Sequence, residues 1–234
     1  MSVKEIRVLL VLAILMATSA CSKTFVVVSE VPRPLVVATP IAAQLQFTDE
    51  FREYEYLETD RKRALEKVSF GEAQVDLFTR IFGALFELVS GENEHSDLKI
   101  EPKLLDFQYS IPSETKTTQF EIWLKYRLRI TDGQGDEVAD WVVKGYGKTP
   151  STLLGSHLKL FNTAANIALR DVGAQLAIGF RTQPSIKEFL QSNGVGQAPI
   201  SENTDDGKRS TQLSLAVDND PQAIKQNASE GVVE

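Results

Sequence analysis

The sequence predicts an α+β domain: an antiparallel sheet of about four strands with two main helices packed on one of its faces. Three observations carry that expectation. The first is the run QFEIWLKYRLRI from Gln119 to Ile130. Phe120, Ile122, Leu124, Tyr126, Leu128 and Ile130 fill the even positions, and Glu121, Trp123, Lys125, Arg127 and Arg129 fill the odd ones. Successive strand side chains point to opposite faces, so this run has one apolar face and one mostly cationic face. Burying each even side chain is worth roughly 1.5–3 kcal/mol as a gross upper estimate, which no helical placement recovers. The second is Asp132-Gly133, one residue beyond it, a strong hairpin signal that leads into a return strand. The third is a pair of stretches in which apolar residues recur at three-and-four spacing, the signature of amphipathic helices.

The elements follow in chain order. From Ser22 to Pro40, Pro32, Pro34 and Pro40 interrupt two short β-branched runs, which reads as a tether with at most an edge strand, taken here as residues 21–46. The domain proper is expected over 47–194. Phe51, Tyr54 and Tyr56 suggest a short strand near Arg52–Leu57. Val75, Phe78, Phe82, Leu85, Phe86 and Val89 trace a helix over Gly71–Ser90, with Gly91 at the C′ position. Strand signals return at Leu98–Ile100 and again at Leu105, Phe107, Tyr109 and Ile111, with Pro102 between them. The return strand of the hairpin runs from Glu137 to about Tyr146, and its alternation slips near Asp140, which marks a bulge. Thr149-Pro150-Ser151 opens a second helical region, in which Phe161, Ala165, Ala168, Val172, Leu176 and Gly179 trace one stripe to about Phe180 whose small residues would let it lie close to a sheet. Pro184 opens a short last helix, Ser185–Gln191, before Gly194. The order is strand, helix, strand, strand, strand, helix. Residues 195–234 are polar and rich in Gly, Asn, Asp, Ser and Gln, and read as a disordered acidic tail.

The N-terminus points to export. Lys4 and Arg7 precede the apolar run Val8–Met16, and Ala17-Thr18-Ser19-Ala20 are small, the three-part pattern of a secretory signal over residues 1–20. Cys21, the only cysteine, stands directly after it. A lone cysteine forms no internal disulfide, so in an exported chain it needs another role. Ala17-Thr18-Ser19-Ala20-Cys21 resembles a bacterial lipobox, with Thr18 where Leu is usual. The resemblance implies that Cys21 carries a diacylglyceryl thioether and an N-acyl chain such as palmitate. Several chains hold a protein on a membrane where one is marginal. By the same resemblance, a residue other than Asp after the cysteine, here Ser22, favours the outer membrane.

Charge narrows the partners. The chain carries net charge −7, and removing Lys4, Glu5 and Arg7 makes the balance one unit more negative. An acidic body gains little from counterion release, so nucleic acid is excluded as an expected partner. The order of elements, the lipobox and SIKEFLQSNG (Ser185–Gly194) together resemble the YajG-like family of bacterial lipoproteins over about Phe70 to Gly194. That resemblance implies an outer-membrane lipoprotein facing the periplasm.

Catalytic and metal signatures are sparse. His95 lies among Glu92, Glu94 and Asp97 in a polar loop, where a solvated loop is the expected state; His157 stands at a helix start, and no HExxH or GxSxG occurs. Gly147-Lys148-Thr149 ends like a phosphate-binding loop, but Val142 holds the place of the leading glycine. No enzymatic activity, cofactor or metal is therefore expected. The cationic face of the central strand holds the candidate partner-binding residues: Trp123, Arg127 and Arg129, with Trp141 joining them across the hairpin. Exposed Trp beside Arg is what binding hot spots favour. The expectation is a lipid-anchored, non-catalytic binding or assembly component of the cell envelope. The alternative is a transport accessory that carries lipid or glycan in an apolar cavity between helix and sheet.

Overall fold

The central strand β7 (Gln119–Asp132) forms where the alternation predicts it, and its six even side chains from Phe120 to Ile130 are each no more than 2% exposed. It belongs to a computed structural model that describes residues 24–58, 67–91, 94–114, 118–151 and 156–194. Two long antiparallel neighbours flank it: β8 (Glu137–Pro150) through the hairpin, and β6 (Leu98–Ser110) on the other side. At the hairpin the Asp132 carboxylate accepts the amides of Gln134 and Asp136, each at 2.9 Å, and Gly135 takes a φ of +97°.

Two bulges decide which side chains face which way. In β8, Thr131 faces Glu137 while Ile130 faces Ala139, so Val138 is the extra residue. The slip thus lies two residues before Asp140, where the alternation suggested it. In β6 the register shifts between Leu104 and Asp106, leaving Leu105 over. A one-residue slip exchanges the two faces of a strand. That is how even-numbered Leu98 and Ile100 and odd-numbered Phe107 and Tyr109 all reach the same core. β6 is accordingly one continuous strand running through Pro102, not two pieces.

The sheet departs from the purely antiparallel, four-stranded expectation. Among the described residues it has five strands in the order β5-β2-β6-β7-β8, where β2 is Ala42–Leu45 and β5 is Glu87–Val89. β2 runs parallel to both of its neighbours. Parallel neighbours need a long crossover, and the one from β2 to β5 holds a short helix α1 (Asp49–Arg52), β3 (Glu55–Leu57), β4 (Lys67–Ser69) and a long helix α2 (Gly71–Leu85). Ala-Ala-Gln-Leu has no alternation, so nothing local marks β2 as a strand; Asp97 fixes it, its amide reaching the Ala42 carbonyl at 2.8 Å and its carboxylate accepting the Ala42 amide at 2.9 Å. β5 takes residues that helical spacing assigned to α2. The helix stops at Leu85, Phe86 turns extended, and Glu87–Val89 pair with the open edge of β2. Gly91 is therefore not a helix cap.

Residues 24–46, expected as a tether, are part of the body. β1 (Thr24–Val26) pairs with β4, and β4 pairs with β3, forming a second sheet of three strands ordered β1-β4-β3. That sheet packs over the far end of β6, with Tyr56 5.2 Å from Phe107 and Phe70 5.4 Å from the same ring. The segment after β1 is fastened to a long helix α3 (His157–Gly179) by side chains one turn apart. Asn162 accepts the Val28 amide at 3.1 Å, Asn166 accepts the Glu30 amide at 2.6 Å and donates to the Val28 carbonyl at 2.8 Å, and Arg170 donates to the Glu30 carbonyl at 3.0 Å. Further along, Arg181 donates to the Thr39 hydroxyl. Unpaired amides in this extended segment would cost free energy, and the ladder on α3 satisfies them.

α2 and α3 both lie on the even face of β7, as expected. Phe78 of α2 meets Tyr126 at 5.2 Å, and Phe51 of α1 is buried between the same rings. The Tyr126 hydroxyl is wholly buried, and desolvation holds its pKa well above the ordinary tyrosine range. α3 crosses β8 where Gly145 and Gly147 face Ala164 and Ala168. A Cβ on Gly147 would stand 2.1 Å from the Ala164 carbonyl oxygen, and one on Gly145 would stand 2.5 Å from that of Ala168. Both obstacles are backbone, so neither can swing aside. A short helix α4 (Pro184–Ser192), begun by Pro184, closes the fold, and Gly194 follows with a φ of +75°. Residues 1–23 and 195–234, with the expected leader, Cys21 and tail, lie outside the described residues. Gly147→Ala is expected to destabilise the domain by about 1–3 kcal/mol or more, as overpacking does, read as a lower urea midpoint at unchanged slope.

Candidate functional site

The odd positions of β7 face away from both helices, and pairing with β6 and β8 extends them into a three-strand surface. Residues directly opposite in an antiparallel pair share a face. Trp123 thus stands between Gln108 and Tyr146, Lys125 between Asp106 and Lys144, Arg127 between Lys103 and Val142, and Arg129 between Glu101 and Asp140.

Trp123 and Tyr146 form the centre. They are 39% and 38% exposed, with ring centroids 5.5 Å apart and planes inclined by 36°. The Tyr146 hydroxyl donates to Glu121 at 2.8 Å, and Ser110 donates to the other carboxylate oxygen at 3.3 Å. Desolvation and the hydrogen bond to the Glu121 carboxylate push the Tyr146 hydroxyl above its ordinary range. The hydrogen bond to Glu121 holds the Tyr146 ring beside Trp123.

Lys125 and Lys144 stand directly opposite each other beside this pair. Like charges in that arrangement repel. Among the described residues neither ammonium has a carboxylate within ion-pair distance. These side chains, with Asp106 and Gln108, line an open depression of about 520 Å³. Its rim reaches α3, where side chains close the outer edge of β8. Asp171 accepts the Tyr146 amide at 3.0 Å, while Gln175 donates to the Lys144 carbonyl at 2.5 Å and to Asp171 at 3.3 Å. An exposed edge strand is a template for pairing with another chain; here the middle of the edge is occupied.

The residues picked from sequence fare differently. Trp123 lies at the centre. Arg127 shares the face but is engaged by Asp140, which binds it at 2.7–2.9 Å and, by hydrogen bond and charge, raises its pKa further. Arg129 is exposed on the same face two positions on. Trp141 is a correction: it faces Leu128 on the covered side and packs 6.3 Å from Phe180. The Val138 bulge causes this, since in the register of Thr131 and Glu137 Trp141 would stand beside Arg127. Alternation alone does not place Tyr146 and Lys144 on this face, because their position beside Trp123 and Lys125 depends on that register.

His95 and His157 do not meet. His95 is exposed and 3.2 Å from Asp97, while the ring of His157 packs 5.5 Å from Phe120. Among the described residues no group of three or more His, Cys, Asp or Glu is placed to hold a metal, and no helix is long and apolar enough to cross a membrane.

Comparison with known proteins gives no matching family model and no matching curated protein. Solved structures do match. One is a protein from Xanthomonas campestris of the family model DUF330, at 11% identity over 72% of this chain and 99% of that one, with TM-score 0.49. A minor lipoprotein from Acinetobacter baumannii matches at 14% identity over 69% and 98%, TM-score 0.37. An uncharacterised lipoprotein from Nitrosomonas europaea matches at 12% identity over 64% and 90%, also with TM-score 0.37.

Two outcomes follow from this geometry. Glu121→Gln removes a carboxylate that favours the neutral phenol, so Tyr146 ionises at lower pH in the variant, as phenolate absorbance during an alkaline titration will show. In Asp171→Ala with Gln175→Ala, the freed edge of β8 pairs between copies, and sedimentation velocity detects dimers or larger species that the wild type lacks.

Proposed function

We propose that this chain is a non-catalytic binding component of a bacterial cell envelope. In this reading lipid on Cys21 anchors it to the periplasmic side of the outer membrane, and the open sheet face docks a protein partner. The single observation that carries the docking role is the half-exposed Trp123–Tyr146 pair, flanked by two ammonium groups with no carboxylate at ion-pair distance among the described residues. Binding hot spots are enriched in Trp and Tyr set in a surround that excludes water. Lys125 and Lys144 repel each other, and a carboxylate between them removes that repulsion, so the partner presents an acidic side chain next to an apolar one. The anchor is supported by the leader pattern and Ala17–Cys21.

Carriage of a lipid inside the domain has less support. The Phe51, Phe78, Phe82 and Tyr126 rings fill the space between helices and sheet that a lipid chain would need.

A photo-crosslinking residue at position 123 in cells tests the docking face. It is expected to give a discrete protein adduct that disappears with Lys125→Glu and Lys144→Glu, while the same residue at exposed position 163 on α3 gives none. Identical adduct patterns from both positions would count against the proposal. Labelling with an alkyne fatty acid, lost in Cys21→Ala, tests the anchor separately.

A further inference from the structure

We infer that the outer face of the small β1-β4-β3 sheet lies against the lipid headgroups of the membrane. The inference rests on the lipid anchor at Cys21 proposed above. It begins from the length of chain between the anchor and the body. β1 starts at Thr24, so three residue steps separate it from Cys21, and they span at most about 11 Å when fully extended. The headgroup layer on each side of a bilayer is itself roughly 5–7 Å thick. A body held this closely cannot stand clear of the surface; some face of it must touch.

The register identifies that face. Thr24 pairs with Lys67 and Lys67 with Leu57, so Leu57 lies in the row nearest the anchor, two strand spacings from Thr24, or about 10 Å. Phe25 and Tyr56 turn inward, onto Phe161 and Phe107, and Val27 is buried. Strand alternation therefore sends their neighbours outward. Val26, Val28 and Leu57 are 49%, 61% and 66% exposed. On the same face, among the described residues, Lys67 is paired with Glu55 at 2.5 Å. The result is three exposed aliphatic side chains around a neutralised ion pair, beside the point of attachment. Such a surface loses little by leaving water for a headgroup layer and gains from burying its aliphatic groups. The hairpin at Gly133–Gly135 lies at the opposite end of the long strands, because the small sheet packs at Phe107 and Tyr109 while Leu98 faces Asp132.

The test uses full-length protein carrying its lipid, purified into phosphatidylethanolamine–phosphatidylglycerol vesicles. A polarity-sensitive fluorophore is placed on Leu57→Cys, Val26→Cys or, as the distant control, Gln134→Cys. Mass spectrometry of the N-terminal peptide reports the state of Cys21 in each. With the lipid present, labels at 57 and 26 are expected to shift to the blue and lose emission to brominated lipids, and the label at 134 to do neither. Labels at 57 and 26 that stay unquenched on a body whose mass shows the lipid overturn the membrane-facing assignment alone. An unmodified Cys21 overturns the anchor, and this assignment with it.

Discussion

The architecture depends on one strand whose two sides have opposite chemistry. The even side of β7 is the floor on which α2 and α3 pack, and all six of its side chains from Phe120 to Ile130 are buried there. Because side chains alternate, committing that side to the core commits Trp123, Lys125, Arg127 and Arg129 to the other. The open face therefore follows from the same pattern that makes the core, and a helix there would destroy both.

Around this strand the fold is adjusted by small local devices. The bulges at Leu105 and Val138 each shift a flanking strand by one residue, which brings Phe107 and Tyr109 into the core and takes Trp141 out of the open face. Gly145 and Gly147 remove the side chains that would hold α3 away from β8. Once α3 lies that close, Asp171 and Gln175 reach the edge of β8, and Asn162, Asn166 and Arg170 reach the segment that follows β1. One helix thus covers the sheet, occupies its edge and fastens the N-terminal segment. The ladder on α3 also keeps the proposed anchor point short, since it draws residues 28–30 onto the body.

How much of this the sequence showed depends on whether the signal was local. β7, the hairpin, the small-residue stripe of α3 and the Pro-initiated α4 were all legible, because each is written in its own residues; the start of α3 was not, since Thr149 and Pro150 extend β8 and the helix begins at His157. β2 was not. Ala42–Leu45 has no periodicity, and it becomes a strand only because Asp97 and the edges of β5 and β6 receive it. The end of α2 was misplaced for the converse reason: Leu88 and Val89 fit a helical stripe, but an open ladder on β2 took them. Within the candidate site Trp123 was legible from alternation alone. Tyr146 and Lys144 needed the exact pairing of β8, which a single extra residue at Val138 decides.

As proposed, the body has two contact surfaces, an aromatic and cationic sheet face for a protein partner and a small apolar face toward the membrane. The central claim is that the Trp123–Tyr146 face is occupied in the envelope. Hydroxyl-radical footprinting of the protein, free in solution and within intact cell-envelope preparations, tests this most directly. The account predicts that Trp123 and Tyr146 lose reactivity in the envelope while Ile167, exposed on α3, keeps its own. Equal reactivity of Trp123 and Tyr146 in the two states would contradict it.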